Sequence, residues 1–180
     1  KNSVTPNNYD LQLKSAYTVP SDLIRQEKFD LYIKAKNVGI FSLASSSLNI
    51  YLDENNDSIF DASEIFLEDE IQSVLPADSA ELVFRDLQFD DAGTYNFWIK
   101  CRNINDEDTL NNELFFSLII KNKPANEHDV VINEIMYLPL NDEPEWIELY
   151  NRGENPADLR KWKISDASSS ISLKDSSIVI

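Results

Sequence analysis

The chain has 180 residues, and its 16 Lys and Arg against 32 Asp and Glu give a formal net charge of −16. With 42% of residues hydrophobic, it holds enough apolar material for one large domain or two small ones and too much for a disordered acidic tail. The charge excludes a phosphate-binding surface and adhesion to an anionic membrane leaflet, and no apolar run approaches the roughly 20 residues that span a bilayer.

Alternation of period two dominates the pattern. A short candidate strand lies at Tyr9–Leu13. Phe29, Leu31, Ile33 and Ala35 then alternate with Asp30, Tyr32, Lys34 and Lys36, which predicts a strand with one buried face. Leu48, Ile50 and Leu52 repeat the pattern, followed by weaker candidates at Ile65–Leu67 and Ala80–Phe84. Tyr95, Phe97, Ile99 and Cys101 alternate with Asn96, Trp98, Lys100 and Arg102, and Leu114, Phe116, Leu118 and Ile120 close the series. About seven short strands before residue 122, without a convincing long helix, predict an all-β antiparallel sandwich. Only 3 Gly are present, so most turns must be built from Asn, Asp, Ser and Pro. Asp91-Ala92-Gly93-Thr94-Tyr95 has the form of a tyrosine corner, which narrows the sandwich to an immunoglobulin-like topology; an ordinary acidic turn before an aromatic strand is the alternative.

Eight acids and no base lie between Tyr51 and Glu70, half of the net charge. Within this stretch Asp53, Asn55, Asp57, Asp61 and Glu64 take the first, third, fifth, ninth and twelfth places of a twelve-residue calcium loop. Ile59, the seventh, would donate its backbone carbonyl, and Glu64 would bind bidentately. Alternate residues of a tight loop point inward, which is how six to eight oxygens reach one hard cation. Phe60 at the eighth place would anchor the loop to the core. Ser58 stands where the sharp turn usually has Gly, so it must adopt a positive φ. The flanks read as strands, giving a clamp between strands with no helix pair to open. The alternative is a solvated Asp/Asn turn in which Asp61 caps a single helical turn and Glu64 completes the capping box.

Lys121-Asn122-Lys123-Pro124-Ala125-Asn126-Glu127-His128 is polar, contains a Pro and lacks alternation. The expected organisation is a first sandwich over residues 1–121, a linker over 122–128 and a second domain over 129–180. The last of these carries Val130-Val131-Ile132-Asn133-Glu134-Ile135-Met136-Tyr137, then Glu145-Trp146-Ile147-Glu148-Leu149-Tyr150-Asn151-Arg152-Gly153, Ala157-Asp158-Leu159 and Trp162-Lys163-Ile164-Ser165-Asp166. In that order these motifs resemble the opening strands of a lamin tail domain, an immunoglobulin-like sandwich found in nuclear lamins and in bacterial secreted and surface proteins. The resemblance implies an incomplete second sandwich, because the chain stops at Ile180 inside an expected strand; it implies a longer parent protein and an open edge that would pair with another chain. Lys1 opens the chain without a leader, so any signal sequence is expected to have been removed or to lie outside it. Ala35-Lys36-Asn37-Val38-Gly39, the Leu52-Asp53 strand exit and Asn111-Asn112-Glu113 make the first domain similar to bacterial adhesion-related sandwich domains.

Few residues invite catalytic readings. His128 is the single histidine and lies in the linker, where it reads as a surface residue. Cys101, the single cysteine, sits on the inward face of its strand and reads as a buried thiol; it excludes an intramolecular disulfide. Glu145 and Glu148 have the makings of a glycosidase pair, but 32 acids produce such pairs by chance. Ser45-Ser46-Ser47 and Ser168-Ser169-Ser170 read as loops outside any nucleophile motif, and Glu134 and Glu148 receive no chemistry. Tyr32, Tyr51 and Trp98 point outward, as an aromatic platform or as cross-strand packing. Asp106-Glu107-Asp108 is either a second weak cation site or a solvated hairpin tip.

The expectation is a non-catalytic, calcium-stiffened spacer and interaction module of a secreted or surface-anchored bacterial protein, with a protein or cell-surface glycan as partner. It involves no nucleic acid and no membrane insertion. The alternative is an accessory region that positions a secreted hydrolase or nuclease domain. DNA binding by kinship with nuclear lamins is opposed by the charge.

Overall fold

The computed structural model describes residues 6–123, 125–140, 143–159 and 162–173. Pro124 of the expected linker and the terminal Ile180 lie outside them. The chain divides into two compact units, Lys1–Ile120 and Lys121–Ile180.

In the first unit, alternation along β3 (Phe29–Asn37) sends Phe29, Leu31, Ile33 and Ala35 to one face, and all four are buried. β3 lies between β1 (Leu11–Val19) and β6 (Ser79–Leu87) in a three-stranded antiparallel sheet. The opposing sheet has the order β2-β8-β7-β4-β5, built from β2 (Leu23–Ile24), β8 (Glu113–Lys121), β7 (Gly93–Arg102), β4 (Ser46–Leu52) and β5 (Ile65–Ile71). Leu48 and Ile50 of β4, Phe97, Ile99 and Cys101 of β7, and Leu118 and Ile120 of β8 meet the inward residues of the three-stranded sheet in one core. The result is an all-β, immunoglobulin-like sandwich, and the described residues contain no α-helix.

The tyrosine corner forms. Tyr95 Oη donates to the carbonyl of Asp91 at 2.9 Å, and the ring packs 4.0 Å from Phe89 between centroids. Asn37 is fully buried yet satisfied: its Nδ2 donates to the carbonyls of Phe41 (2.8 Å) and Val74 (2.9 Å), and its Oδ1 accepts from Gly39 N (3.0 Å). Gly39 is required there by space, since a Cβ would stand 2.7 Å from the Asn8 carbonyl oxygen and 2.8 Å from Asp10 N. β5 ends its sheet and turns Glu68, Asp69 and Glu70 toward solvent.

In the second unit β9 (Val130–Met136) pairs antiparallel with β10 (Trp146–Asn151), with an irregularity between Glu148 and Leu149. β11 (Lys163–Ser165) pairs with β12 (Ser170–Ser172). Ala157 and Leu159 are its buried hydrophobic side chains among the described residues. His128 lies in the turn before β9, exposed, with φ 72°. Its carbonyl accepts from Arg152 Nε at 2.7 Å.

Candidate functional site

The Asp53–Glu64 loop is the connection from β4 to β5, so its two ends are fixed by neighbouring strands of one sheet. Asp53 is 5% exposed and its N–H donates to the Asn96 carbonyl at 3.0 Å, which holds the loop's base to β7. Its carboxylate accepts from Asp57 N through Oδ1 and from Ser58 N through Oδ2, both at 3.1 Å. Asn55 Oδ1 accepts from the same Asp57 N–H at 2.8 Å, and Asp57 Oδ1 accepts from Ile59 N at 2.7 Å. These contacts need a tightly wound backbone, and Asn56 and Ser58 adopt φ of 57° and 63°. The positive φ expected at Ser58 is thus present.

The far end of the loop closes on itself. Asp61 caps the 3₁₀ turn Ala62–Glu64 by accepting from Ser63 N (2.7 Å) and Ser63 Oγ (2.6 Å), and Glu64 Oε2 accepts from Asp61 N (3.3 Å). The Ser63 hydroxyl, followed by its backbone N–H, holds the Asp61 carboxyl below its ordinary value. Glu64 is only 9% exposed, and its second oxygen, Oε1, is buried without a hydrogen-bond partner.

Of the six residues with calcium-ligand spacing, the structure therefore joins Asp53, Asn55 and Asp57 in one hydrogen-bonded group and Asp61 with Glu64 in another. Ile59 follows with its side chain exposed. Among the described residues no three His, Cys, Asp or Glu side chains gather as a metal cluster. Phe60 does not reach the interior core; it packs on the outer face of the five-stranded sheet, 5.7 Å from Trp98 and 6.0 Å from Phe115 between ring centroids.

The remaining candidates separate by sheet. Tyr51 and Trp98 face each other across β4 and β7, whereas Tyr32 stacks on Tyr17 at 4.9 Å on the three-stranded sheet. A single platform of all three is therefore not formed, and cross-strand packing accounts for their outward positions. Cys101 is buried, and burial, aided by the charge of Asp106, pushes its thiol up to about 12, so it stays protonated at neutral pH. Glu134 and Glu148 stand directly opposite each other on β9 and β10, and Asn133 Nδ2 donates to Glu148 Oε1. Sequence spacing missed one grouping: Asp10 meets Asn111, and Asp106 meets Asn112, at the start of β1. About a hundred positions separate Asp10 from Asn111, so no local motif signals their meeting.

Residues 123–180 match the family model of the Lamin Tail Domain. The C-terminal segment is lamin-tail-like. The first unit has the fold of a CARDB domain from Pyrococcus furiosus, solved in complex with di-metal ions: TM-score 0.51, 15% identity, 67% of this chain and 95% of that one. A domain of a Methanosarcina acetivorans protein named for the cell surface is similar at TM-score 0.49 and 15% identity, over 66% of this chain and 94% of that one. A β-glucosidase from Listeria innocua is similar at TM-score 0.39 and 12% identity, over 62% of this chain but 16% of the enzyme. No curated protein sequence matches the chain. The resemblances to a lamin tail domain and to an adhesion-related sandwich thus both hold.

Proposed function

We propose that the chain is a non-catalytic interaction or spacer region of a secreted or cell-surface protein, and that the Asp53–Glu64 loop takes a structural calcium ion. The observation that carries the metal is Glu64 Oε1, a buried carboxylate oxygen without a donor, in a stretch of eight acids without a base. Like charges crowded into a short loop repel until a cation neutralises them, and a buried acceptor without a partner is costly. The donor set fits a hard cation: carboxylates of Asp53, Asp57, Asp61 and Glu64, the Asn55 amide and the Ile59 carbonyl are all oxygens. The Pyrococcus domain, solved with di-metal ions, shares the fold alone at 15% identity, so the ligands must come from this chain's own loop.

Calcium would stabilise the first unit by mass action. With the sub-millimolar to millimolar affinity usual for extracellular modules, 1 mM calcium contributes about 0.4–1.4 kcal/mol. That raises the melting temperature of a small domain by a few degrees. Thermal melts in calcium and in chelator test the reading. A rise in calcium that Asp53→Ala or Glu64→Ala removes is the expected result, and identical melts in calcium and chelator overturn it. Partners of such a module would be a protein or a cell-surface glycan, with the β9–β10 pair as the route for strand pairing.

A further inference from the structure

The outer face of the five-stranded sheet carries a cleft of about 430 Å³, and the register of β7 and β8 sets its position. Trp98 stands opposite Phe115, and the next outward pair along the same strands is Asn96 opposite Ser117. The Asp53–Glu64 loop lays Phe60 over the first pair, 5.7 Å from Trp98 and 6.0 Å from Phe115 between ring centroids. Phe60, Phe115, Asn96, Ser117 and Ser58 line the cleft. Asp53 is the one charged residue in the lining and is 5% exposed, so the accessible surface of the cleft is close to neutral.

Cross-strand packing accounts for Tyr51 and Trp98, but it leaves Phe115 63% exposed, its ring within 5° of parallel to Trp98. The polar side of the cleft also has capacity to spare. Ser117 Oγ donates to Asn96 Oδ1 at 2.7 Å, and among the described residues Asn96 Nδ2 makes no hydrogen bond. One ligand is therefore offered aromatic walls together with an amide donor and two hydroxyls. The volume lies within the roughly 300–1,000 Å³ of small-ligand clefts.

We infer that this cleft binds a neutral glycan, one sugar ring lying against Phe115 and Phe60 with its hydroxyls on Asn96, Ser117 and Ser58. Oxygen on each ring carbon polarises the C–H bonds, and their positive hydrogens are drawn to the negative face of an aromatic ring. A hydroxyl both donates and accepts, so a sugar rim satisfies the amide donor and the serine hydroxyls together. Charge selects an uncharged sugar, because an acidic one meets a chain of net −16 and a cleft without Lys or Arg. A β-linked glucose chain has this form: its hydroxyls are equatorial and leave the C–H faces bare. A peptide strand docks on a sheet edge through backbone hydrogen bonds, whereas this cleft lies on a sheet face. The inference rests on reading the chain as an interaction module and names its partner class; it does not require calcium.

The test follows the indole N–H of Trp98 by NMR in the full chain carrying Trp146→Phe and Trp162→Phe, which leaves a single indole. Trp98 touches both aromatic walls, and its Nε1 is buried without an acceptor, so this resonance reports on the rings around it. Cellotetraose is added up to about 10 mM, enough to saturate a millimolar site. The titration is run in about 1 mM calcium chloride and again in chelator, which separates a loop without calcium from a cleft without ligand. The expected result is a saturable shift in at least one buffer, with a midpoint that Phe115→Leu raises about tenfold by removing the ring and keeping apolar bulk. No shift in either buffer, or a midpoint that Phe115→Leu leaves unchanged, overturns the site. A response to a soluble Thr-Val repeat peptide without one to cellotetraose overturns it in favour of a protein partner. Should Phe115→Leu lower the urea midpoint of the first unit, Asn96→Ala takes its place with the same expected rise. The calcium reading is decided by its own melts, so the two can fail separately.

Discussion

Ile99 of β7 and Ile135 of β9 are the same side chain within strands of similar pattern, yet Ile99 is 0% exposed and Ile135 54%. The first unit sets an opposing sheet over its alternating residues, so Leu31, Ile33, Leu48, Ile50 and Ile99 all bury in one core. Ile132, Ile135 and Ile147 of the paired β9 and β10 remain substantially exposed in the second. Period-two alternation therefore specifies a strand, while what lies across from the strand decides whether the alternation is converted into burial. At about 25 cal/mol per Å² of apolar surface removed from water, that difference sets where the stability of the chain resides.

The sharpest way to break the comparison is to truncate both isoleucines. Ile99→Ala should cost the first unit about 2–5 kcal/mol, since it removes a fully buried side chain, whereas Ile135→Ala should stay within about 0.5 kcal/mol. Trp98 lies in the first unit and Trp146 and Trp162 in the second. Urea unfolding in a Trp146→Phe/Trp162→Phe background reports the first unit alone, and a Trp98→Phe background reports the second. Equal losses at the two positions would end the distinction.

Gly39→Ala is next in size. A Cβ at that position meets backbone atoms that cannot swing aside, and overpacking of this kind costs about 1–3 kcal/mol, read as a lowered urea midpoint of the first unit. Tyr95→Phe removes only the hydroxyl bond to Asp91 and should cost about 1 kcal/mol by the same measurement. The smallest effect belongs to the second unit. Backbone N–H groups of Ser168 and Ser169, then their hydroxyls, lower the Asp166 carboxyl from 3.8 to about 2. A depressed carboxylate contributes stability that is complete above its unfolded value and is lost as pH falls through the folded one. The turn between β11 and β12 should therefore loosen between about pH 4 and pH 2, and the Asp166 carboxyl resonance should titrate near 2. A midpoint near 4 would show that those hydrogen bonds do not persist in solution.

β3, β4, β7 and β8 are legible in the sequence because each faces a packed layer on one side and solvent on the other. β1 extends to Val19, well past the readable Tyr9–Leu13, because the register shifts between Leu13 and Ser15 and reverses the alternation. β2 has two residues, too few for any period. β5 runs on to Ile71 through acids at the sheet edge, where side chains are not sorted into buried and exposed. The Asp53–Glu64 loop is readable because all of its donors lie within twelve positions, and the strain at Ser58 follows from the same spacing. Two features escape local reading. Phe60 settles on Trp98 and Phe115, which come from other strands, and Asp10 meets Asn111 only after the sandwich has closed.

The acidic rim of β5 has a consequence for copies of the chain brought close together. A sheet edge is a template for another strand, and the exposed Glu68, Asp69 and Glu70 place three negative charges along this one. Two copies approaching edge to edge meet repulsion before their backbone groups reach hydrogen-bonding distance. Crowded copies of the module are thereby kept as separate units, and this edge resists zipping into a continuous sheet.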